Sequence, residues 1–179
     1  PLLLHRAFPD VDRISVRHGD TATVVQGIGT MGSRATAVAG ESVKMAAAKV
    51  VDKAKVIAAH LLEANPDDIE VADDAFHVAG TPTKAVGWAE VATKSFQNLE
   101  LPEGVDPGSL EATVHNAPPN FSFPAGAYGC VVEIDKVTAE IRVRDMYLVD
   151  DCGNVINPLL AEGQVHGGVA QGIAQALYE

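Results

Sequence analysis

The chain has 179 residues, 47% of them hydrophobic and 21% charged, with a net charge of −11 at neutral pH. That is enough apolar material for one domain or two small lobes and is not the composition of a disordered chain; the acidic excess argues against a nucleic-acid groove or an anionic membrane surface as partner, so any phosphate has to be held by local donors. Cys130 and Cys152 form no Cys-x-x-Cys pair, so zinc or iron–sulfur ligation is not indicated, and no secretory leader or apolar run of membrane-spanning length is read.

In chain order, Ile14 to Arg17 reads as a short strand ended by Gly19-Asp20, and Ala22 to Val25 as a second strand. Gln26-Gly27-Ile28-Gly29-Thr30-Met31-Gly32-Ser33-Arg34 follows, a glycine-rich loop that opens onto a helix. Glycine lets the backbone turn with positive φ and come close to a ligand. A helix start aims free N–H groups and a positive dipole end at the loop. Thr30 and Ser33 carry hydroxyl donors, and Arg34 can fork onto phosphate oxygens. The loop therefore reads as an anion cradle; the plain alternative is a glycine turn with Ser33 as N-cap.

The helix is expected from Ala35 to Ala64, with Val43, Val50, Ile57 and Leu61 and several alanines on one face. Asn65-Pro66 stops it. Ile69 to Ala72 and Ala75 to Ala79 form a hairpin around Asp73-Asp74, and Gly87 to Phe96 a short helix burying Trp88, Val91 and Phe96. His60 and His77 read as ordinary histidines. After a loop over Gln97 to Gly108, strands are expected at Leu110 to Val114, Tyr128 to Asp135 and Glu140 to Val149, the last two as a half-buried hairpin turned by Lys136 to Ala139.

The last strand runs into Asp150-Asp151-Cys152-Gly153-Asn154-Val155-Ile156-Asn157-Pro158, where Asn157 and Pro158 make an N-cap arrangement for a helix that reaches the end of the chain. On that helix Gln164, Gly168, Gln171 and Gln175 share one stripe; Val165, Val169, Ile173, Ala176 and Leu177 share another. The amide stripe reads either as close packing with wet Gln tips or as a face for a ligand with many hydrogen-bonding edges. Asp150 and Asp151 diverge along a continuing strand, which weakens them as an acid–base pair.

Gly27, Gly29 and Gly32 also fit G-x-G-x-x-G, so an NAD(P)- or FAD-binding Rossmann oxidoreductase domain is an alternative, as is a non-enzymatic nucleotide-binding module. The Rossmann reading lacks its acidic residue at the end of a second strand, because Asp52 falls inside the long helix.

Gly19-Asp20-Thr21, Gly29 to Arg34, Phe123 to Asp135, Val149 to Pro158 and Glu162 to Gly172 together resemble the molybdenum-cofactor-binding large subunit of the xanthine dehydrogenase and aldehyde oxidase family, and within it the aerobic carbon monoxide dehydrogenases. The resemblance runs from about Asp12 to Glu179 and departs from the family at Met31, where Tyr is usual, and at Ala35, where Ser is common. It implies an α+β fold of two lobes, residues 1–108 and 109–179, each a small mostly antiparallel sheet packed on a helix that begins at a cofactor loop. It implies a molybdopterin cytosine dinucleotide with its pyrophosphate at Gly29, Thr30, Met31, Gly32, Ser33, Arg34 and Ala35, and its base and pterin edges at Asp151, Cys152, Asn157 and Gln164. No residue is expected to ligate molybdenum or to act as catalytic acid or base. The family's upstream glycine-rich segment, active-site loop and downstream catalytic glutamate are not in this sequence, so the chain is expected to be an interior piece of a cytoplasmic molybdenum hydroxylase subunit, silent by itself. Implied partners are the rest of that subunit, subunits carrying 2Fe-2S and FAD, and a small substrate: carbon monoxide, an aldehyde or an N-heterocycle.

Overall fold

The computed structural model describes residues 11–24, 27, 29–97 and 100–179. It divides into two compact units, one up to Pro119 and one from Asn120 to Glu179.

The first unit is built on the long helix. A π-helical segment, Thr36–Gly40, runs directly into α1, Glu41–Leu61. Burial is uneven along α1: Val43 is exposed, whereas Ala54, Ile57, Ala58 and Ala59 are fully covered, and Leu62 just beyond joins them. Asn65 then ends the helical path by accepting the Asp67 N–H at 3.0 Å over a 3-10 turn, Pro66–Asp68.

Three antiparallel strands follow in the order β1 (Ile69–Ala72), β2 (Ala75–Val78), β3 (Thr81–Gly87). The β1–β2 turn places Asp73 and Asp74 at positive φ, as a two-residue hairpin of the mirror-image type requires. Ile69 pairs with Val78, Val71 with Phe76, and Phe76 with Val86, so one face is apolar and turns to α1. Phe76 meets Trp88 edge-on, with centroids 4.6 Å apart and planes at 62°. Trp88 opens α2, Trp88–Gln97, whose Val91 closes the core.

The expected strands at Ile14 to Arg17 and Leu110 to Val114 are not formed. Neither stretch finds a partner strand among the described residues, and an extended segment without a partner is not a strand. The strand expected at Ala22 to Val25 is instead a turn at Thr21–Thr23; Val25 lies outside the described residues. Asp20 dictates that turn: its side chain accepts the Ala22 N–H at 2.9 Å, and its carbonyl accepts those of Thr23 and Val24 at 3.1 and 2.8 Å. In α2, Phe96 points to solvent and Ser95 is buried in its place. Ser95 Oγ donates to the Gly108 carbonyl at 2.6 Å and Gly108 N–H returns to the Ser95 carbonyl at 3.2 Å, which ties the following loop to the helix.

The second unit is a hairpin of β4 (Ala125–Ile134) and β5 (Ile141–Asp151), followed by α3, Pro158–Tyr178. Ile134 pairs with Ile141 and Ala125 with Asp151 across the ladder, with a bulge at Val131/Val132. Ile134 and Ile141 are exposed rather than half-buried, as no residue of this unit is buried in the chain. The architecture is α+β with small, wholly antiparallel sheets. Without parallel pairing among the described strands there is no βαβ unit for a Rossmann cofactor site.

Candidate functional site

The glycine loop belongs to the first unit. Gly29 and Gly32 have φ of +81° and +62°, and a Cβ built on either meets nothing within 4 Å, so open space lies against the backbone. Ser33 is also left-handed, at φ +51°, a conformation that costs a non-glycine residue about 1–2 kcal/mol. Thr30, Met31, Gly32, Ser33 and Ala35 are exposed and Arg34 is half-buried. Helical geometry starts at Ala35, and no side chain caps it. Ser33 is therefore not the N-cap of the plain turn reading, and no side chain caps the first N–H groups of the helix. Arg34 forms no ion pair among the described residues. Two glycines opening space, an uncapped helix start and an uncommitted guanidinium suit a phosphate-bearing ligand.

The second loop joins β5 to α3. Asp151 Oδ1 accepts the Gly153 N–H at 2.9 Å, and Gly153 turns with φ +75°. Asn157 Oδ1 accepts the Leu160 N–H at 3.4 Å, which caps α3 and leaves the Asn157 amide N–H groups for a ligand. Cys152 is exposed with a free thiol, as is Cys130. Gln164 is exposed on α3, as are Gly168, Gln171 and Gln175, whereas Val165, Val169, Ile173 and Leu177 are half-buried; Ala176, expected on their stripe, is exposed. The helix thus keeps the two stripes apart.

Asp150 and Asp151 diverge. Asp150 accepts a hydrogen bond from the Tyr128 hydroxyl across the ladder, on the opposite side of β5 from Asp151. That bond, with a smaller part from desolvation, raises the Tyr128 pKa. Asp150 is engaged from the neighbouring strand and Asp151 within its own loop, and the two are not placed as a reacting pair. Within the stretch Phe123 to Asp135 no sequence signal singled out Gly126 and Tyr128 for a role of their own, because their pairing with Asp150 depends on the β4–β5 register, which is not a local property.

Two shallow depressions in the first unit, about 410 and 540 Å³, lie away from the glycine loop. The larger is walled by Asp52, Asp106 and Glu111, with Lys53 donating to the Ser109 carbonyl at 3.2 Å; its acidic wall is unsuited to a phosphate. Among the described residues no three His, Cys, Asp or Glu side chains converge as a metal site, and no helix is long and apolar enough to cross a membrane.

The family model described as a molybdopterin cofactor-binding domain matches residues 4–179. The chain is 46% identical over 164 residues to the carbon monoxide dehydrogenase large chain of Hydrogenophaga pseudoflava, covering 92% of this chain and 20% of that one. It is 38% identical over 169 residues to the nicotine 6-hydroxylase large subunit of Paenarthrobacter nicotinovorans, covering 94% and 21%. The reconstituted CO dehydrogenase from Oligotropha carboxidovorans superposes with a TM-score of 0.77 at 43% identity, over 88% of this chain and 19% of that chain. The chain thus spans about a fifth of the length of these relatives.

Proposed function

Because the chain belongs to the molybdopterin cofactor-binding domain family, we propose that its two loops hold one molybdopterin dinucleotide and that it serves as the cofactor-binding region of a molybdenum hydroxylase. Residues up to 108 and from 109 onward are both parts of that region. The observation that carries the reading is the uncapped helix start behind Gly29 and Gly32. There the backbone N–H groups, Thr30, Ser33 and Arg34 receive the pyrophosphate; Met31 contributes its backbone N–H in place of a side-chain donor, and Ala35 likewise. Asp151, Cys152, Asn157 and Gln164 take the base and pterin edges, through the Asn157 and Gln164 amides and the backbone turned at Gly153.

The dinucleotide is the cytosine form. When bound, it supplies the molybdenum centre that oxidises a substrate with an oxygen atom taken from water. The chain's part is binding and orientation. Asp150 is engaged by Tyr128 and Asp151 by the Gly153 N–H, so neither is assigned a proton-transfer role, and the chain alone is expected to be catalytically silent. Electrons leave through 2Fe-2S and FAD groups on partner subunits. The substrate is carbon monoxide or an aldehyde or N-heterocycle; relatives named for carbon monoxide and for nicotine both match the chain. The complex works in the cytoplasm.

Arg34→Ala in the full-length subunit tests the reading. Molybdenum per subunit, measured by plasma mass spectrometry, is expected to fall about tenfold with the fold intact, and Arg34→Lys to restore part of it, since a point charge cannot make the forked contact. Unchanged molybdenum in Arg34→Ala would overturn the phosphate assignment.

A further inference from the structure

On the Asp150 face of the β4–β5 ladder, Gly126 stands directly opposite Asp150, and Tyr128, two residues on, is diagonal to it. Diagonal neighbours of this kind are within reach of a long aromatic side chain, and the Tyr128 hydroxyl donates to Asp150 Oδ1. The space for that bond exists because residue 126 is glycine. A Cβ there would lie 2.8 Å from Asp150 Oδ1, 3.1 Å from Tyr128 Cε2 and 3.2 Å from the Val149 carbonyl oxygen. Gly126 has an ordinary φ, unlike the turn glycines, so backbone freedom does not explain it. It is a notch in which the phenol and the carboxylate meet.

Asp150 is the last residue but one of β5, and Asp151 begins the loop by accepting the Gly153 N–H. Fixing Asp150 on one face of the strand fixes the direction in which Asp151 leaves on the other. Within this chain no side chain of the unit is fully buried, and the Tyr128 hydroxyl is a polar contact that reaches Asp150 from β4. We propose that Gly126, Tyr128 and Asp150 form a latch that positions the Asp151–Asn157 loop for its ligand, with Tyr128 and Gly126 as positioning residues that do not touch it. This rests on the reading of that loop as a dinucleotide site.

The test is made in the full-length subunit within its complex. The readouts are the rate at which cofactor is lost on dilution, followed as released nucleotide and protein-bound molybdenum, and the far-ultraviolet circular dichroism. Tyr128→Phe, which removes one hydroxyl, is expected to speed release roughly two- to tenfold with unchanged dichroism. Gly126→Ala, which displaces the pair while keeping both partners, is expected to do the same. The double variant should release no faster than either single one, because both break one bond. Asp150→Asn, which keeps an acceptor oxygen, should release more slowly than Asp150→Ala. Wild-type release from Tyr128→Phe, or additive effects of the two substitutions, would overturn the latch. Asp151→Ala separates the two claims. Fast release from it beside wild-type release from Tyr128→Phe sinks the latch alone; wild-type release from Asp151→Ala sinks its assignment as a ligand contact. Should Gly126→Ala fail to fold, the Tyr128→Phe and Asp150→Asn comparisons still decide the matter.

Discussion

Phe76 and Tyr147 are both aromatic residues of antiparallel strands, yet Phe76 is fully buried and Tyr147 is 64% exposed. The first unit covers Phe76 with α1, α2 and the neighbouring strands. The second fully buries no side chain in this chain, and Tyr147, Val149, Leu159 and Leu160 lie open. Beside the β4–β5 backbone ladder, its side-chain contacts are polar: Arg144 to Glu133 at 2.8 Å, Arg142 to Glu140, the Asp135 turn, the Tyr128–Asp150 bond and the Asn157 cap. A two-stranded hairpin without a buried face is marginal in water. The lesson concerns the division of labour. The glycine loop leads into a unit with its own core, while the Asp151–Asn157 loop leaves a hairpin that is uncovered in this chain, so whatever binds or covers that hairpin is expected to stabilise it.

Core truncation sharpens the contrast most. Phe76→Ala is expected to destabilise the first unit by about 3–5 kcal/mol, through lost burial and the cavity left against Trp88. Tyr147→Ala in the isolated chain should change stability by less than about 0.5 kcal/mol. Urea unfolding of the chain distinguishes them, and equal losses from the two substitutions would erase the distinction between the units.

Ser95→Ala comes next. It leaves the Gly108 carbonyl without its buried donor and should cost about 1–3 kcal/mol. Proteolytic cleavage of the loop around Pro107 should rise with it; a protected loop would show that the hydroxyl is not what ties it down.

The smallest effects are those of pH on the second unit, and they lie at opposite ends of the scale. The Thr138 N–H, then the Val137 N–H, holds the Asp135 carboxyl below its ordinary value. A lowered pKa means stability that is present above the ordinary carboxyl value of about 4 and is lost as pH falls through the lowered one. Tyr128 is raised, chiefly by Asp150, so its contribution is present below the ordinary phenol value of about 10 and is lost as pH rises through the raised one. Both groups are exposed and screened, so the increments are small. Asp135→Ala should flatten only the acid side and Tyr128→Phe only the alkaline side of a stability–pH curve; a change on the wrong side would reverse the assignment.

Local signals were legible in the sequence. The periodic apolar face predicted the long helix, Asp73-Asp74 the β1–β2 hairpin, and Asn157-Pro158 the start of α3, since each depends on neighbours a few residues away. The glycine loop was legible in composition, and the positive φ of Gly29 and Gly32 matches the backbone turn read there. Most of what failed depended on distant partners. Ile14 to Arg17 and Leu110 to Val114 have strand composition but nothing to pair with among the described residues, and at Ala22 the nearby Asp20 offers the backbone a turn instead. β3 was missed because Pro82 and Lys84 interrupt its apolar pattern, and it forms by pairing with β2. Ser95 is buried where Phe96 was expected because its hydroxyl bonds to the Gly108 carbonyl, thirteen residues on, while Phe96 lies in solvent. The π-helical opening at Thr36–Gly40 has no counterpart in the residue pattern.

Amide hydrogen exchange on the full-length subunit, with and without its molybdopterin dinucleotide, decides whether both loops hold one cofactor. Slower exchange is expected in the loaded protein at two separate stretches, Gly29 to Thr36 and Asp151 to Asn157, with the buried core around Ile57 and Phe76 unchanged. Protection confined to other parts of the subunit, with both stretches exchanging at the same rate in the two states, would contradict it.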